Sequence, residues 1–475
     1  MQRSHCSQLT IFLLLAGVVI LPACSKKAFL DKKPNSQLVV PTTLADFQAL
    51  LDDQYVMQET PELGELSSDN YRMLYSTWVG LTAKSQNAYT WAQDTYGGQG
   101  QVPDWNLPYK EVFYANVVLD GLQKIKVDES NRQDWNRIKG TALFIRAYAF
   151  YNLSQVFSPV YDATTASMDL GIALRLTSDV NLKYKRANVQ DTYNQILSDL
   201  RQADSLLPDA VHSANLNRPS RPAALAMLAR VCLSMQVYPQ AGAYADRSLQ
   251  LYNTLMDYHS LAYTTNPPVP QLNPETLYQS VLYTGSEVFV GGSFKVTCIV
   301  DSNLYASYAP GDLRRVIFYR IGGSSGLPYL RGSYSGKSYC FSGLAVDEVY
   351  LIRAECAARV GNKDAALADL NTLLQHRWVR QDSIPFIPIM ASSASAALDS
   401  VLVERRKELP FRGLRWTDIR RLNKEGANIT LSHGLNGQVF RLPPSSHNYV
   451  FYLPPDVRIL SGMEDYDNRV TIDPN

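Results

Sequence analysis

Histidine, cysteine and carboxylate side chains, the groups that most often catalyse reactions or bind metals, are scattered along this 475-residue chain. The histidines lie at positions 5, 212, 259, 376, 433 and 447, and none belongs to an HExxH motif or to a pair at metal-binding spacing. No G-x-S-x-G motif is present, and the stretch GGSSGLPYLRG lacks the lysine of a P-loop. The sequence therefore predicts no enzyme, no cofactor and no metal site. A glycoside hydrolase stays as an alternative, because two carboxylates about 5–10 Å apart in space would suffice.

The cysteines also show no motif of a metal-binding or redox site. Four follow residue 24, at Cys232, Cys298, Cys340 and Cys356, and no two of them form a CxxC motif. Cys232 and Cys356 lie in alanine-rich helical patterns, where cysteine is usually a small core residue. For Cys298 and Cys340, a disulfide and two free thiols both remain open.

Aromatic residues are the prominent chemical feature, with 29 tyrosines, 15 phenylalanines and 6 tryptophans. Flat rings on loops suit sugars and peptides, because they offer a large contact area at low entropy cost and sugar C–H faces can lie on them. Many rings fall outside helical patterns, at Tyr71, Tyr75, Trp78, Tyr89, Trp91, Tyr96, Trp105, Tyr319, Tyr329, Tyr334 and Tyr339. From these and nearby polar side chains we predict the following ligand-binding residues: Asp69, Asn70, Tyr71, Trp78, Tyr89, Trp91, Tyr96, Tyr329 and Arg331. The alternative for any single ring is that it packs on the core, but we expect some of them to form an exposed platform.

The elements that must position these rings have a helical period. Apolar residues recur every three or four positions from Ile138 to Val156, and again from Tyr193 to Leu207 before Pro208 ends the pattern. Pro108 is a candidate for the first turn of another helix. Helices therefore dominate the prediction.

Two segments also resemble each other, ALAMLARVCLSMQVYPQAGAYADRSL and YLIRAECAARVGNKDAALADLNTLL. Ala229 corresponds to Ala354 and Ala241 to Ala366, so that both copies place small residues where two helices approach closely. This spacing is typical of a tetratricopeptide repeat. We predict an all-α, mainly helical fold with tetratricopeptide-like pairs at about residues 108–260 and 343–425, and minor β structure.

Between the pairs, the chain becomes rich in glycine, serine, asparagine, proline and aromatic residues, at about residues 58–107 and 261–342. Long irregular stretches are uncommon in compact domains unless they bind something or are disordered, and this density of aromatic residues argues against disorder. A β-like run, Phe294–Val300, falls in the second stretch. We predict that the two stretches are ligand-facing insertions.

The first residues indicate export. The apolar run Ile11–Ala23 is too short to span a bilayer, follows Arg3 and ends at Cys24, as in a secretory signal peptide. The string Leu21-Pro22-Ala23-Cys24 resembles the lipobox of bacterial lipoproteins. We predict a signal peptide at residues 1–23, a lipid anchor on Cys24, and a mature domain at residues 24–475.

The charge balance excludes some partners. Removing residues 1–23, which carry one basic and no acidic residue, leaves 44 basic and 44 acidic side chains. A chain with no net charge is not expected to bind nucleic acid.

Several segments together resemble the SusD/RagB family of outer-membrane nutrient-binding lipoproteins. In chain order the similar segments are Phe29–Pro34, Asp104–Leu122, Ala142–Phe157, Arg221–Met235, Val346–Gly361, Glu404–Leu422 and Phe451–Ile459. The Glu404–Leu422 segment, ERRKELPFRGLRWTDIRRL, is the most specific, and the matches extend over nearly the whole mature chain.

The resemblance implies a helical binding protein that works with a SusC-like TonB-dependent transporter. Such proteins capture oligosaccharides, or in some members peptides, and pass them into the transporter without chemical change. It also implies an outer-membrane location facing the cell surface, although Ser25-Lys26-Lys27 stands where exported relatives often carry acidic residues. A lipid-anchored hydrolase and a peptide or glycopeptide binder are the alternatives.

The Glu404–Leu422 segment also has a physical interpretation. Glu404 and Glu408 are four residues apart on a predicted helix, within reach of Arg405, Arg406 or Lys407. We predict a structural ion-pair cluster around a buried Trp416, with a tight bend at the glycine between the two helices.

Overall fold

The computed structural model describes residues 41–289, 298–323, 325–332 and 334–474. The predicted signal peptide, the lipidated Cys24 and the segment Phe29–Pro34 lie outside those residues. One unit extends over Thr43–Asn475. In the described ranges, no helix combines the length and the apolar character needed to cross a bilayer.

Helices make up most of the described chain, as predicted. In chain order they are α1 Leu44–Leu51, α2 Leu63–Leu66, α3 Tyr75–Trp78, α4 Ala83–Tyr89, α5 Pro103–Leu122, α6 Arg132–Phe157, α7 Val189–Leu206, α8 Arg221–Ser234, α9 Tyr238–Leu251, α10 Ser302–Ala306, α11 Arg314–Phe318, α12 Val346–Arg359, α13 Lys363–Gln375, α14 Ala394–Glu408, α15 Arg415–Lys424 and α16 Pro455–Ser461. Short 3-10 turns occur at Tyr258–Ser260 and His447–Tyr449.

The periodic segments form helices close to their predicted places. Helix α6 buries the predicted apolar face from Ile138 onwards, and α7 ends at Leu206, two residues before Pro208. The predicted start at Pro108 is wrong, because α5 begins at Pro103 and Pro108 lies buried inside it. Proline is favoured at the first helical position, where its missing N–H has no intrahelical partner anyway, and Pro103 occupies that position.

The two tetratricopeptide-like pairs are confirmed as α8–α9 and α12–α13, which pack within each pair. The corresponding alanines of both pairs, Ala229, Ala241, Ala354 and Ala366, are fully buried. Helix α9 also packs on α12, so pairs that are distant in sequence are neighbours in space. The helices touch closely at Gly242, where an added Cβ would lie 3.1 Å from that of a cysteine on α12.

Short strands form small sheets beside the helices. They are β1 Glu59–Thr60, β2 Tyr71–Arg72, β3 Thr276–Tyr278, β4 Val281–Leu282, β5 Ile299–Val300, β6 Tyr319–Ile321, β7 Pro328–Leu330, β8 Leu344–Ala345, β9 Leu431–Leu435 and β10 Gln438–Leu442. Within the predicted β-like run Phe294–Val300, the strand covers only the last two residues, and residues 294–297 lie outside the described chain.

The two insertions share a sheet. Its strand order is β2-β5-β7-β6, with β2 from the first insertion and the other three strands from the second. The parallel pair β1–β4 joins the insertions a second time. Neither connection has a local sequence signal, since Tyr71 pairs with Val300, more than two hundred positions away.

The cysteines past residue 24 are buried free thiols, so the open question at Cys298 and Cys340 resolves against a disulfide. Burial raises the pKa of both thiols well above the ordinary value. These side chains therefore act as small core residues.

The ion-pair cluster at the C-terminal helices is confirmed, but most of its partners were not predicted. Glu404 pairs with Lys407 at 2.7 Å, as its spacing suggests, and also with Arg314 at 2.6 Å. Glu408 instead pairs with Arg314 and Arg377, which come from other segments of the chain. Glu404 and Glu408 lie on the buried side of α14, where arginines from distant segments reach them. Trp416 is buried as predicted.

Candidate ligand-binding face

A partly exposed pair of stacked rings lies shortly after strand β2. Tyr75 and Trp78 are the first and last residues of α3, and their ring centroids are 5.8 Å apart with planes inclined by 23°. Tyr75 is 46% exposed and Trp78 is partly buried, while Leu74 and Val79 on either side are exposed. These four residues define an accessible, largely apolar surface, which we call the Tyr75–Trp78 face.

Backbone contacts to the next helix hold the tryptophan in place. The indole N–H of Trp78 donates to the backbone carbonyl of Gln86 at 3.1 Å, and the Gln86 amide donates to the carbonyl of Leu81 at 2.9 Å. A single helical turn is not stable by itself. These bonds therefore fix the orientation that lets the indole stack on Tyr75.

A carboxylate of the second insertion supports the same region. Glu287 accepts hydrogen bonds from the backbone N–H and hydroxyl of Thr82, at 3.0 and 2.6 Å, and from the hydroxyl of Ser85 at 2.9 Å. Thr82 and Ser85 lie at the start of α4, whose backbone positions Trp78. The Tyr75–Trp78 face thus depends on both insertions.

Strand β7 is the second neighbour of β2, which places it about 10 Å away. The predicted ligand residues Tyr329, in this strand, and Arg331, just after it, serve the fold instead. Tyr329 is buried and its hydroxyl donates to Ser325 at 3.0 Å. Arg331 donates to the backbone carbonyls of Val316 and Thr265, at 2.7 and 3.0 Å, and to a third carbonyl nearby. The prediction that these two residues contact ligand is therefore not supported by their placement.

Four predicted platform rings lie in the core, and their assignment to an exposed platform is wrong. Tyr71, Tyr89, Trp91 and Tyr96 are each at most 2% exposed. Their polar atoms are satisfied internally: the Tyr71 hydroxyl donates to a carbonyl at 2.7 Å, the Trp91 indole at 3.0 Å, and the Tyr96 hydroxyl at 2.6 Å. Burial with satisfied hydrogen bonds is the stable arrangement for such amphipathic rings.

An imidazole lies at the centre of this buried cluster. The ring of His433, from strand β9, stacks between Tyr89 at 4.0 Å and Trp91 at 4.5 Å. Burial lowers the pKa of His433 below its ordinary value. Hydrogen bonds between its two ring nitrogens and the carbonyls of Tyr89 and Ser68 act in the opposite direction, but burial has the larger effect. The cluster attaches the first insertion to the C-terminal hairpin.

The polar residues predicted beside these rings are also committed to the fold. Asn70 is buried and its amide donates to Glu65 at 2.9 Å. Asp69 accepts two hydrogen bonds from Arg415, at 2.7 and 2.9 Å, and lies 3.2 Å from Arg406. Burial acts to raise the pKa of Asp69, but Arg415 and Arg406 outweigh it and lower the pKa to about 2. Asp69 and Asn70 therefore orient the loop, and their direct contact with ligand is not supported.

Asp69→Asn is expected to flatten the acid dependence of stability. The folded pKa of about 2 lies below the unfolded value of about 3.9, so the ionised carboxylate stabilises the fold fully above pH 4. That contribution, about 2 kcal/mol, is lost as the pH falls from 4 to 2. Urea unfolding at pH 7, 4, 3 and 2 measures it, with Asp364→Asn on an exposed helix as the control. Parallel pH profiles for the wild type and Asp69→Asn would contradict the assignment.

Tyr75 belongs to this candidate face but is absent from the sequence-based ligand set. Tyr75 and Trp78 are three positions apart, the spacing at which side chains meet on one helix face. That spacing was a usable signal, whereas the exposure of Leu74 and Val79 depends on distant segments. Among the described residues, no group of three or more His, Cys, Asp and Glu side chains is placed to hold a metal ion.

Two family models match the sequence. One, described as "Starch-binding associating with outer membrane", matches residues 28–233, and the second, described as the SusD family, matches residues 346–451. The chain belongs to the SusD family. Membership implies an outer-membrane location in the cell envelope. The second insertion of this SusD-family chain falls between the two matches, in residues 234–345.

Similar proteins extend over most of the chain. A SusD-like protein P2 from Formosa agariphila is 24% identical over 456 residues, which cover 83% of this chain and 87% of the relative. A crystal structure of a putative sugar binding protein from Bacteroides vulgatus has a TM-score of 0.71 at 21% identity, covering 91% of this chain and all of that one. A laminarin binding SusD-like protein has a TM-score of 0.64 at 18% identity, covering 89% and 98%. At these identities the structures establish a shared fold.

Proposed function

We propose that this SusD-family chain binds an oligosaccharide at the outer membrane and delivers it, chemically unchanged, to a SusC-like TonB-dependent transporter. Lipidation of Cys24 would anchor it to the membrane. The observation that carries the proposal is the stacked, accessible pair Tyr75 and Trp78, held where the two insertions meet. Relatives described as sugar binding and laminarin binding support the choice of ligand class.

The geometry of the pair suits a sugar ring. The rings of Tyr75 and Trp78 are nearly parallel with centroids 5.8 Å apart, so each covers part of the other, and the accessible part of the stack can contact the C–H face of a pyranose ring. Tyr75 is 46% exposed, so a saccharide chain can reach this end of the stack. Leu74 and Val79 widen the apolar surface, which also fits the alternative ligand, a peptide or glycopeptide.

A hydrolase is the second alternative, and the nearby carboxylates do not favour it. A glycosidase general acid needs a raised pKa, whereas Arg415 and Arg406 hold the pKa of Asp69 at about 2. Asp301 also lies beside Arg406, at 3.7 Å. Asp69 and Asp301 thus act as counter-ions for arginines.

Trp78→Ala is expected to weaken saccharide binding at least tenfold, because truncating a central tryptophan typically removes more than about 1.4 kcal/mol of binding free energy. Isothermal titration with laminarin and starch oligosaccharides, and with tryptic peptides as competing ligands, measures the change. The melting temperature is expected to change little, since Trp78 is only partly buried.

Trp135→Ala is the matched control. Trp135 is also partly buried, and its indole donates to the carbonyl of Leu122 at 3.2 Å, but it lies on α6 of the helical scaffold. Equal loss of affinity in both variants would contradict the proposed face. Binding of peptides but not saccharides would favour the first alternative, and release of shorter sugars from the wild-type protein would favour the hydrolase.

A further inference from the structure

The C-terminal helix α16 carries the most exposed aliphatic side chains of any described helix. Ile459 is 78% exposed and Leu460 is 82% exposed, and none of the seven residues of α16 is buried. The helix begins at Pro455 and ends at Gly462, which has the left-handed conformation of a helix cap. Adjacent aliphatic residues of this size that remain in solvent mark an interaction surface when they belong to a larger apolar patch.

Concave surfaces flank α16 on both sides. One groove of about 750 Å³ separates α16 from the start of α5 and from residues 173–184, and is lined by Val180, Leu182 and Leu460. A second groove of about 760 Å³ lies between α16 and residues 93–98, with Ile459 on its wall. Val180 and Leu182 are themselves exposed, so the apolar patch extends across the first groove. We call α16 and these two grooves the α16 surface.

The first groove carries an excess of positive charge. Arg175 and Lys183 line it, and in the described part of the chain neither forms an ion pair. The Arg175 guanidinium instead lies over the ring of Tyr184, 5.3 Å from its centroid. Asp456 is the one carboxylate in the lining. A complementary partner would therefore bring aliphatic side chains together with carboxylates.

We propose that the α16 surface docks a segment of a partner protein that carries aliphatic side chains flanked by carboxylates. The inference rests on the proposed function, which makes the TonB-dependent transporter the partner. The segment places apolar side chains in the grooves on either side of α16, and its carboxylates pair with Arg175 and Lys183. Charge pairs at the rim of such a contact mainly set its rate and specificity, while the buried aliphatic residues supply most of its affinity.

The lining favours a protein over a saccharide as the occupant. Three aromatic residues line the first groove: Trp105 and Tyr109 are at least nine-tenths buried, and the guanidinium of Arg175 lies over the ring of the partly buried Tyr184, so little ring face is offered to a sugar. The exposed apolar side chains of the lining are aliphatic, Val180, Leu182 and Leu460. A protein partner can fit into the two grooves on either side of α16, whereas a flat lipid surface cannot.

Photocrosslinking in native outer membranes tests the proposal. Leu460 is replaced by the photoreactive amino acid p-benzoylphenylalanine in the full-length protein, and Val403, an exposed aliphatic residue on α14, is replaced likewise as the control. Irradiation is expected to join position 460 to a TonB-dependent transporter, at a segment with aliphatic residues and carboxylates identified by mass spectrometry. The yield at position 403 is expected to be at least tenfold lower.

A charge-reversal variant provides a second test of the proposal. Arg175→Glu with Lys183→Glu is expected to reduce the crosslink from position 460 at least tenfold, and addition of salt is expected to reduce it in the unaltered background. Crosslinks to a second copy of the chain, to lipid or to no protein would overturn the inference, as would equal yields at positions 460 and 403. Saccharide titration of the purified Leu460→Asp variant separates the two proposals, because the proposed ligand face predicts unchanged affinity.

Discussion

Glu408→Ala is expected to lower the free energy of unfolding by about 3–5 kcal/mol, because it leaves two arginines buried without their shared counter-ion. Glu408 is fully buried and accepts from Arg377 at 2.7 Å and from Arg314 at 3.0 Å. Burial acts to raise the pKa of this carboxyl, but the two guanidinium groups hold it below the usual value. Arg377 also donates to Glu275 at 2.8 Å, so the variant disturbs a network that joins α14 to the second insertion.

Urea unfolding at neutral pH measures this loss, with Asp364→Ala as the control. Asp364 forms a 3.7 Å ion pair with Lys363 on the surface of α13, where such pairs contribute little. We expect no measurable change for the control. A Glu408→Ala protein as stable as the control would show that the network is not required for the fold.

Trp91→Ala is expected to lower the free energy of unfolding by about 3–5 kcal/mol, the usual range for removing a buried tryptophan. Its ring is 1% exposed and stacks on His433 at 4.5 Å, and its indole donates to the carbonyl of Ser67 at 3.0 Å. Trp91 also has a φ of +53°, a strained conformation that surrounding packing must hold in place. The substitution removes that packing.

The comparison with Trp78→Ala makes this result decisive for the position of the ligand face. Both residues belong to the first insertion, but only Trp78 is accessible. Thermal unfolding and saccharide titration of the two variants should therefore separate, with Trp91→Ala losing stability and Trp78→Ala losing affinity. A stable Trp91→Ala protein with weakened binding would return Trp91 to the ligand-binding set.

The helical scaffold was predictable because its signal is local. Ala229 and Ala354 occupy corresponding positions of two repeats, where one helix packs on the next. The apolar period of α6 and α7 is visible within the sequence of each helix alone. The start of α5 was placed five residues late because two prolines, Pro103 and Pro108, compete for the first turn. Only the geometry shows that Pro103 occupies it.

The ligand face was predictable only to the level of a segment. Trp78 and Trp91 lie in the same aromatic-rich insertion, and nothing near either residue indicates which ring is buried. Trp91 is buried because His433 and Ser67 meet it from other parts of the chain. Similarly, the partners of Asp69 come from beyond residue 400, so the sequence showed a free carboxylate where the structure has an ion pair.

The shared sheet has a consequence for how binding preference can change among such proteins. Strands β2 and β5 pair residues more than two hundred positions apart, and β1 and β4 repeat that link. Recombination that exchanged one insertion alone would leave strand edges without partners and a tryptophan without its support. A chimera that acquires a new ligand preference should therefore carry both insertions from the same parent protein.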